Sequence, residues 1–213
     1  MKILALDLGK FNTMCCFFDT KTRKHSFLNV STERSYLETI FKSHQVDLVV
    51  MEACGPSGWI HALASTHGHK TLVCSTNEEA WKWSNVKRKT DKDDALKLAR
   101  MAAMGELTSV HMPSEERREF RSLVKYRKTL DCRINTTKCT IRAWFVNHGI
   151  TIDRGDKAWH TGRALINSFR KPLAECSANE LPKGELDIEL TQLDSLSQQM
   201  DVVVKKLEAI GKN

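Results

Sequence analysis

No two of the seven cysteines, at positions 15, 16, 54, 74, 132, 139 and 176, form a C-x-x-C pair, and no histidine stands at ligand spacing from Cys or Glu. That pattern argues against a zinc site and against a disulfide framework; the cysteines lie mostly in apolar runs and read as reduced thiols. The N-terminus MKILALDLGK lacks a long apolar run followed by a small-residue cleavage site. No later stretch reaches the roughly 18 apolar residues that a membrane span needs. A cytoplasmic protein with no membrane partner is expected. Between Ser114 and His148 there is neither proline nor glycine, so nothing there interrupts a helix.

Positive charge is in excess. With 33 Lys and Arg against 26 Asp and Glu, the 213 residues carry a net charge of +7, which favours a polyanionic partner, nucleic acid first among them. ILALDLG, NTMCCFFDT and KHSFLNVS read as three successive strands. Leu37, Ile40 and Phe41 then recur at helical spacing behind an N-capping Ser31 or Thr32, and DLVVME is a buried strand. Pro56 to His67 reads as a second helix and HKTLVCS as a fifth strand. Residues 1–105 thus predict an α/β domain, a mixed sheet with helices, followed by a polar linker at 106–113.

The remainder, 114–213, reads as an arm of two long helices around an irregular loop at 149–182. Phe120, Arg127, Ile134, Ile141 and His148 lie on one heptad track of the first helix, and Leu123, Leu130, Thr137 and Trp144 on its partner. In the second helix, Leu186, Leu193, Met200 and Leu207 share a track, with Leu190 and Val204 on the other. Residues 114–150 hold nine Lys and Arg against four Asp and Glu, whereas 177–213 hold four against seven, so the helices are complementary in charge. A hairpin packed on itself is one reading of these stripes, and a dimeric coiled coil through 114–148 and 184–210 is the one favoured here.

Asp7 ends the first strand in the pattern apolar-Asp-apolar-Gly, and Glu52 ends DLVVME in the same way. A buried unpaired charge costs several kcal/mol, roughly, so carboxylates at such positions want a metal or a cation. In KRKTDKDDALKLA, Asp91 and Asp94 share a helix face, while Asp93 points elsewhere. Thr90 with Asp93 also reads as a capping box, and acids suit any first helical turn. Carboxylates arriving as strand end, strand end and helix start predict a shared Mg²⁺ or Mn²⁺ and a catalytic site on phosphodiesters. Around them stand Lys82, Lys87, Arg88, Lys89 and Lys92, interleaved with Trp81 and Trp83, which read as phosphate and base contacts or, more plainly, as a charged linker with two core tryptophans. On the arm, Arg117, Arg118, Arg121, Lys125, Arg127 and Lys128 extend the candidate nucleic-acid surface.

The order Asp7, Glu52, Asp91 and Asp94, carried by ALDLGK, MEACGPSGW and KTDKDDALKLA and followed by YRKTLDCRINTTKCTIRAWF, resembles the DEDD transposases of the insertion-sequence one-ten type, Piv-like DNA invertases included. The resemblance implies an RNase H-like (RuvC-like) domain that binds divalent metal through the four acids. It also implies a coiled-coil arm that dimerises, DNA as substrate and a structured guide RNA as partner, hence RNA-guided DNA transposition. Family members continue into a domain that supplies a serine nucleophile. No serine here stands in a matching motif, so this C-terminal serine domain is expected to be absent and the chain unable to complete strand exchange. Three alternatives use the same residues differently: a stand-alone RNase H-like endonuclease such as a Holliday-junction resolvase, a catalytically silent RNA-binding dimerisation module, and an actin-like sugar or acetate kinase. No second glycine-rich phosphate loop supports the kinase.

Overall fold

The computed structural model describes residues 1–75 and 90–212. They form two compact units, Met1–Arg118 and Glu119–Asn213.

In the first unit, β1 (Lys2–Leu8), β2 (Asn12–Asp19) and β3 (His25–Ser31) form an antiparallel meander. α1 (Arg34–Ser43) returns the chain to β4 (Leu48–Glu52), and α2 (Ser57–Thr66) carries it on to β5 (Thr71–Cys74). β4 lies parallel to β1, and β5 parallel to β4, giving the order β3-β2-β1-β4-β5. Parallel neighbours need a crossover, which is why a helix precedes β4 and another precedes β5. This is the mixed sheet with helices expected from the sequence.

Alternation along the strands builds two cores. Ile3, Ala5, Leu48 and Val50 face α3 (Asp91–Met104) and pack with its Ala95, Leu98, Ala99 and Ala102. Leu4, Leu6, Val49 and Met51 face the other way, onto Leu37, Ile40 and Phe41 of α1 and Ile60, Leu63 and Ala64 of α2. β1 and β4 are covered on both faces, so they read in sequence as continuous apolar runs. Burial pushes the Cys15 thiol up to about 12, with Cys16 adding to the effect, and the Cys16 thiol to about 11. Both behave as packing groups.

Two local expectations change. Glu33, not Ser31 or Thr32, precedes the first turn of α1, and it makes no side-chain cap bond. The Ser31 hydroxyl donates to Glu33 Oε1, while the Thr32 hydroxyl donates to Gly9 O, a partner far away in sequence. The stretch 106–113, read as a linker, is partly held in the sheet: Val110 N–H donates to Val73 O at 2.7 Å, and Ser109 bridges Cys74. Strand β5 has an open outer edge, and this segment takes its hydrogen bonds.

α4 (Glu115–Asn147) begins at the end of the first unit, and its remainder builds the second with α5 (Arg163–Asn167) and α6 (Leu181–Gly211). α4 and α6 form a hairpin. Ile141 and Phe145 pack with Leu186, Leu190 and Leu193, and Leu130 packs with Leu196 and Val203. The buried α6 positions at 196 and 203 fall one residue before the expected heptad track through Val204. The loop at 149–182 folds onto this core through Ala158, Ile166, Trp159 and Phe169.

The charge complementarity of the helices is used differently from expectation. The acids of the α6 region pair with the loop: Asp194 with Arg163, Asp187 with Arg170 and Glu180 with Lys171. Among the described residues no ion pair joins α4 to α6. An exposed pair contributes about 0–1 kcal/mol, against about 1.5–3 kcal/mol for each fully buried Leu, Ile or Phe, so the apolar stripe holds the hairpin.

Candidate functional site

β1 and β4 are in register through Leu6 and Met51, so the next positions, Asp7 and Glu52, stand side by side at the C-terminal ends of two parallel strands. Parity sets their direction. Ile3, Ala5 and Val50 belong to the core against α3, and Asp7 and Glu52 continue those positions on the same face. Both are half-buried.

Helix α3 lies on that face with a defined polarity. Its last turn, at Arg100, Ala103 and Met104, borders a hollow shared with Phe18, Thr20 and Arg23, at the end of the sheet where β1 begins. Its first turn therefore stands toward the end that holds Asp7 and Glu52. Asp91 and Asp94 lie on the side of α3 that carries the buried Ala95 and Leu98. Asp94 is half-buried, its Oδ1 shut from solvent, and Asp91 is exposed. Asp93 is turned away: its backbone N–H reaches Thr90 Oγ1, and the Thr90 hydroxyl donates to Asp93 Oδ2 at 2.6 Å. Thr90 thus caps the helix, with Asp93 as its partner, and neither Asp91 nor Asp94 takes part in that cap.

The four acids occupy one end of one sheet face, and their all-oxygen donors fit a hard cation such as Mg²⁺. Among the described residues, however, no three His, Cys, Asp or Glu side chains form a group that could hold a metal ion. A tight cage would need the side chains to draw together.

Cys54 is a neighbour that the sequence did not single out. Though the residue is exposed, its thiol is held above its ordinary value, first by partial desolvation and then by the Glu52 and Asp7 carboxylates, against a lowering from the Ser57 backbone N–H. The thiol therefore senses both strand-end acids. The turn is pinned by Ser57, whose hydroxyl donates to Cys54 O at 2.8 Å and accepts from Cys54 N–H at 3.2 Å. The spacing C-x-x-S was visible, but its closeness to Asp7 depends on the β1–β4 register.

The predicted basic residues divide. Lys82, Lys87, Arg88 and Lys89, with Trp81 and Trp83, lie outside the described residues. Lys92 is exposed on α3, its ammonium 5.9 Å from the Phe27 ring centre. Arg118 is an anchor: Nη1 donates to Pro113 O at 2.7 Å, and its side chain lies where a Cβ on Gly58 would be. Its charge also lowers the His61 value, though burial of that ring is the larger cause. Arg117, Arg121, Lys125, Arg127 and Lys128 are exposed on α4, and none enters an ion pair with a described residue.

The chain is similar to two curated proteins named as transposases. A protein of Sinorhizobium fredii, y4qE, is 31% identical over 106 residues, 49% of this chain and 27% of that protein. The transposase for insertion sequence element IS1111A of Coxiella burnetii is 26% identical over 167 residues, 78% of this chain and 44% of that protein. The chain thus spans less than half the length of either relative. Among solved structures, Thermus thermophilus RuvC aligns with a TM-score of 0.35 at 11% identity, covering 52% of this chain and all of that one. The profile of the IS110-type DEDD transposases matches residues 4–148, a span that begins in the strand bearing Asp7 and ends just past α4, and the chain belongs to that family.

Proposed function

We propose that these residues are the metal-binding and nucleic-acid-binding part of a DNA transposase, with Asp7, Glu52, Asp91 and Asp94 as its catalytic acids. The observation that carries this reading is the side-by-side register of Asp7 and Glu52 on the face covered by α3, whose first turn brings Asp91 and Asp94. The four carboxylates would hold Mg²⁺ or Mn²⁺, which when bound supplies Lewis-acid polarisation of a phosphodiester. Asp7 and Glu52 offer rigid strand-end donors. Asp91 and Asp94 stand in the first turn of α3. Lys92, the basic residues of 82–89 and the cations of α4 supply phosphate contacts, which position a strand without reading its sequence.

The partners in this reading are DNA, a structured guide RNA, and a second copy of the chain. The apolar stripe of α4 and α6 is covered within one chain, so self-association would use the other side of α6, where Ile188 and Val202 are exposed.

Calorimetric titration with Mn²⁺ tests the acid site. Asp7→Asn and Glu52→Gln should each weaken binding by at least the roughly 10- to 100-fold that loss of even an outer-shell partner costs. Asp93→Asn should lower the unfolding temperature through the cap and leave Mn²⁺ affinity unchanged. Mn²⁺ binding that survives Asp7→Asn together with Glu52→Gln would remove the metal role.

A further inference from the structure

We propose that Phe11 is a base-stacking residue, its ring held at the tip of the β1–β2 hairpin against a nucleotide base beside the phosphodiester at Asp7 and Glu52, with Lys10 on the neighbouring phosphate. The inference rests on the nucleic-acid reading above and adds a specific contact to it. Phe11 is 72% exposed, against 54% for Tyr36 and 43% for Tyr126. Hydrophobic burial favours covering such a ring, yet the fold holds it out.

The hold is specific. Gly9 N–H donates to Asn12 O at 3.0 Å across the turn, and Thr32 N–H donates to Phe11 O at 2.8 Å from the start of the next connection. The Thr32 hydroxyl gives its proton to Gly9 O at 3.0 Å, so the buried Thr13 hydroxyl donates to Thr32 Oγ1 at 2.8 Å. These bonds fix the backbone on both sides of Phe11 and leave its side chain outside. Rigid display of an aromatic face lowers the entropy lost when a flat partner is captured.

Position names the partner. The last hairpin pair is Leu8 with Thr13 and the next is Asp7 with Met14, so the tip rises from the strand end that carries the acid. Consecutive strand residues advance about 3.4 Å, so the hairpin tip, at Lys10 and Phe11, stands about 10 Å beyond Asp7, on the side where a strand bound at the acids would continue. Lys10 Nζ lies 5.0 Å from the Phe11 ring centre, so a cation and a π-face are presented together. Base stacking tolerates any sequence because every base has a π-face. A protein-docking anchor would sit in an apolar patch, whereas the chain neighbours of Phe11 are the exposed, polar Lys10 and Asn12.

The test measures binding of the full 213-residue chain to a fluorescein-labelled single-stranded oligonucleotide and to a branched DNA junction by anisotropy, across a salt series, with unfolding midpoints alongside. Phe11→Ala should weaken binding roughly 5- to 150-fold, the range for loss of one stacked base, at an unchanged salt slope and midpoint. Phe11→Trp should restore affinity and add emission, relative to the wild type, that nucleic acid quenches. Lys10→Ala should lower the salt slope by about one. Wild-type binding with Phe11→Ala within twofold of it overturns the stacking role and leaves the nucleic-acid reading standing. No binding by the wild type overturns both. Loss of self-association by Phe11→Ala, with nucleic-acid affinity intact, makes the ring a protein contact and also overturns the proposal.

Discussion

Gly9 follows Asp7 by two residues, and a Cβ there would collide with the Asn12 carbonyl oxygen. The obstacle is backbone, fixed by the hydrogen bond Gly9 itself makes, so no side-chain rotation relieves it. Gly9→Ala should cost about 1–3 kcal/mol, read as a lower urea midpoint, and should disturb the strand end that carries Asp7. A midpoint equal to the wild type would mean that the hairpin shifts freely. Asp7, Leu8 and Gly9 were legible in the sequence because an acid and then a glycine break a run that is otherwise buried on both faces. Cys54 was not, because its neighbours come from register across strands. Ser31 and Thr32 were misread as caps because their hydroxyls are committed elsewhere: Thr32 donates to the distant Gly9 O and lies against Thr13 Oγ1, and Ser31 donates to Glu33 Oε1. Asp93 shows the opposite case, since both members of the Thr90–Asp93 pair lie within one turn and local sequence sufficed.

At the scale of elements, the helices of the arm were legible from periodicity, and their pairing was not. The stripe on α6 passes through Leu196 and Val203 because the facing surface of α4, around Leu130, sets which residues are covered. The 149–182 loop looked irregular because its elements are short, yet ion pairs fasten it to α6. One of these fastenings is open to titration. Glu180 is held down to about 2 from 4.5, first by the hydrogen bond from Lys171 Nζ and then by the Ser177 backbone and hydroxyl. A carboxyl with a depressed folded value stabilises fully above its unfolded value and loses that contribution as pH falls through the folded one. The junction into α6 should therefore weaken between about pH 4.5 and 2. Lys171 is raised by the same contact, so its share is present below its ordinary 10.5 and fades at higher pH. Urea midpoints measured from neutral pH down to 2 should fall less steeply for Glu180→Gln than for the wild type; parallel curves would show that this pair carries no pH dependence.

For the molecule as a whole, the net charge of +7 matters only where cations are left uncommitted. Arg163, Arg170 and Lys171 are paired with acids, Arg118 is bound to Pro113 O, and Arg142 donates to the carbonyls of Asp153 and Gly155. What remains exposed on α4 is Arg117, Arg121, Lys125, Arg127, Lys128 and Arg133, while Lys138 lies over the Trp159 ring. At helical spacing Arg117, Arg121, Lys125 and Lys128 fall on the side opposite the buried Leu130, Thr137 and Ile141, while Arg127 lies toward the flank of the buried stripe. A solvent-facing row of cations with no ion pair to an acid among the described residues fits the phosphates of a nucleic acid. Replacing Arg121, Lys125 and Lys128 together by Ala should lower the slope of log affinity against log salt by about 2–3 on duplex DNA, since each lost phosphate contact accounts for about 0.9. All sequences should weaken alike, because phosphate contacts carry no sequence information. The unfolding midpoint should stay near the wild-type value, as none of the three supports the hairpin core. Arg118→Ala supplies the contrast: it should lower the midpoint by removing the anchor at Pro113 and the cover over Gly58, and change the salt slope little. An unaltered slope in the triple variant would mean that this face of α4 contacts no phosphate, and the nucleic-acid surface would then have to be sought among the cations of the sheet domain.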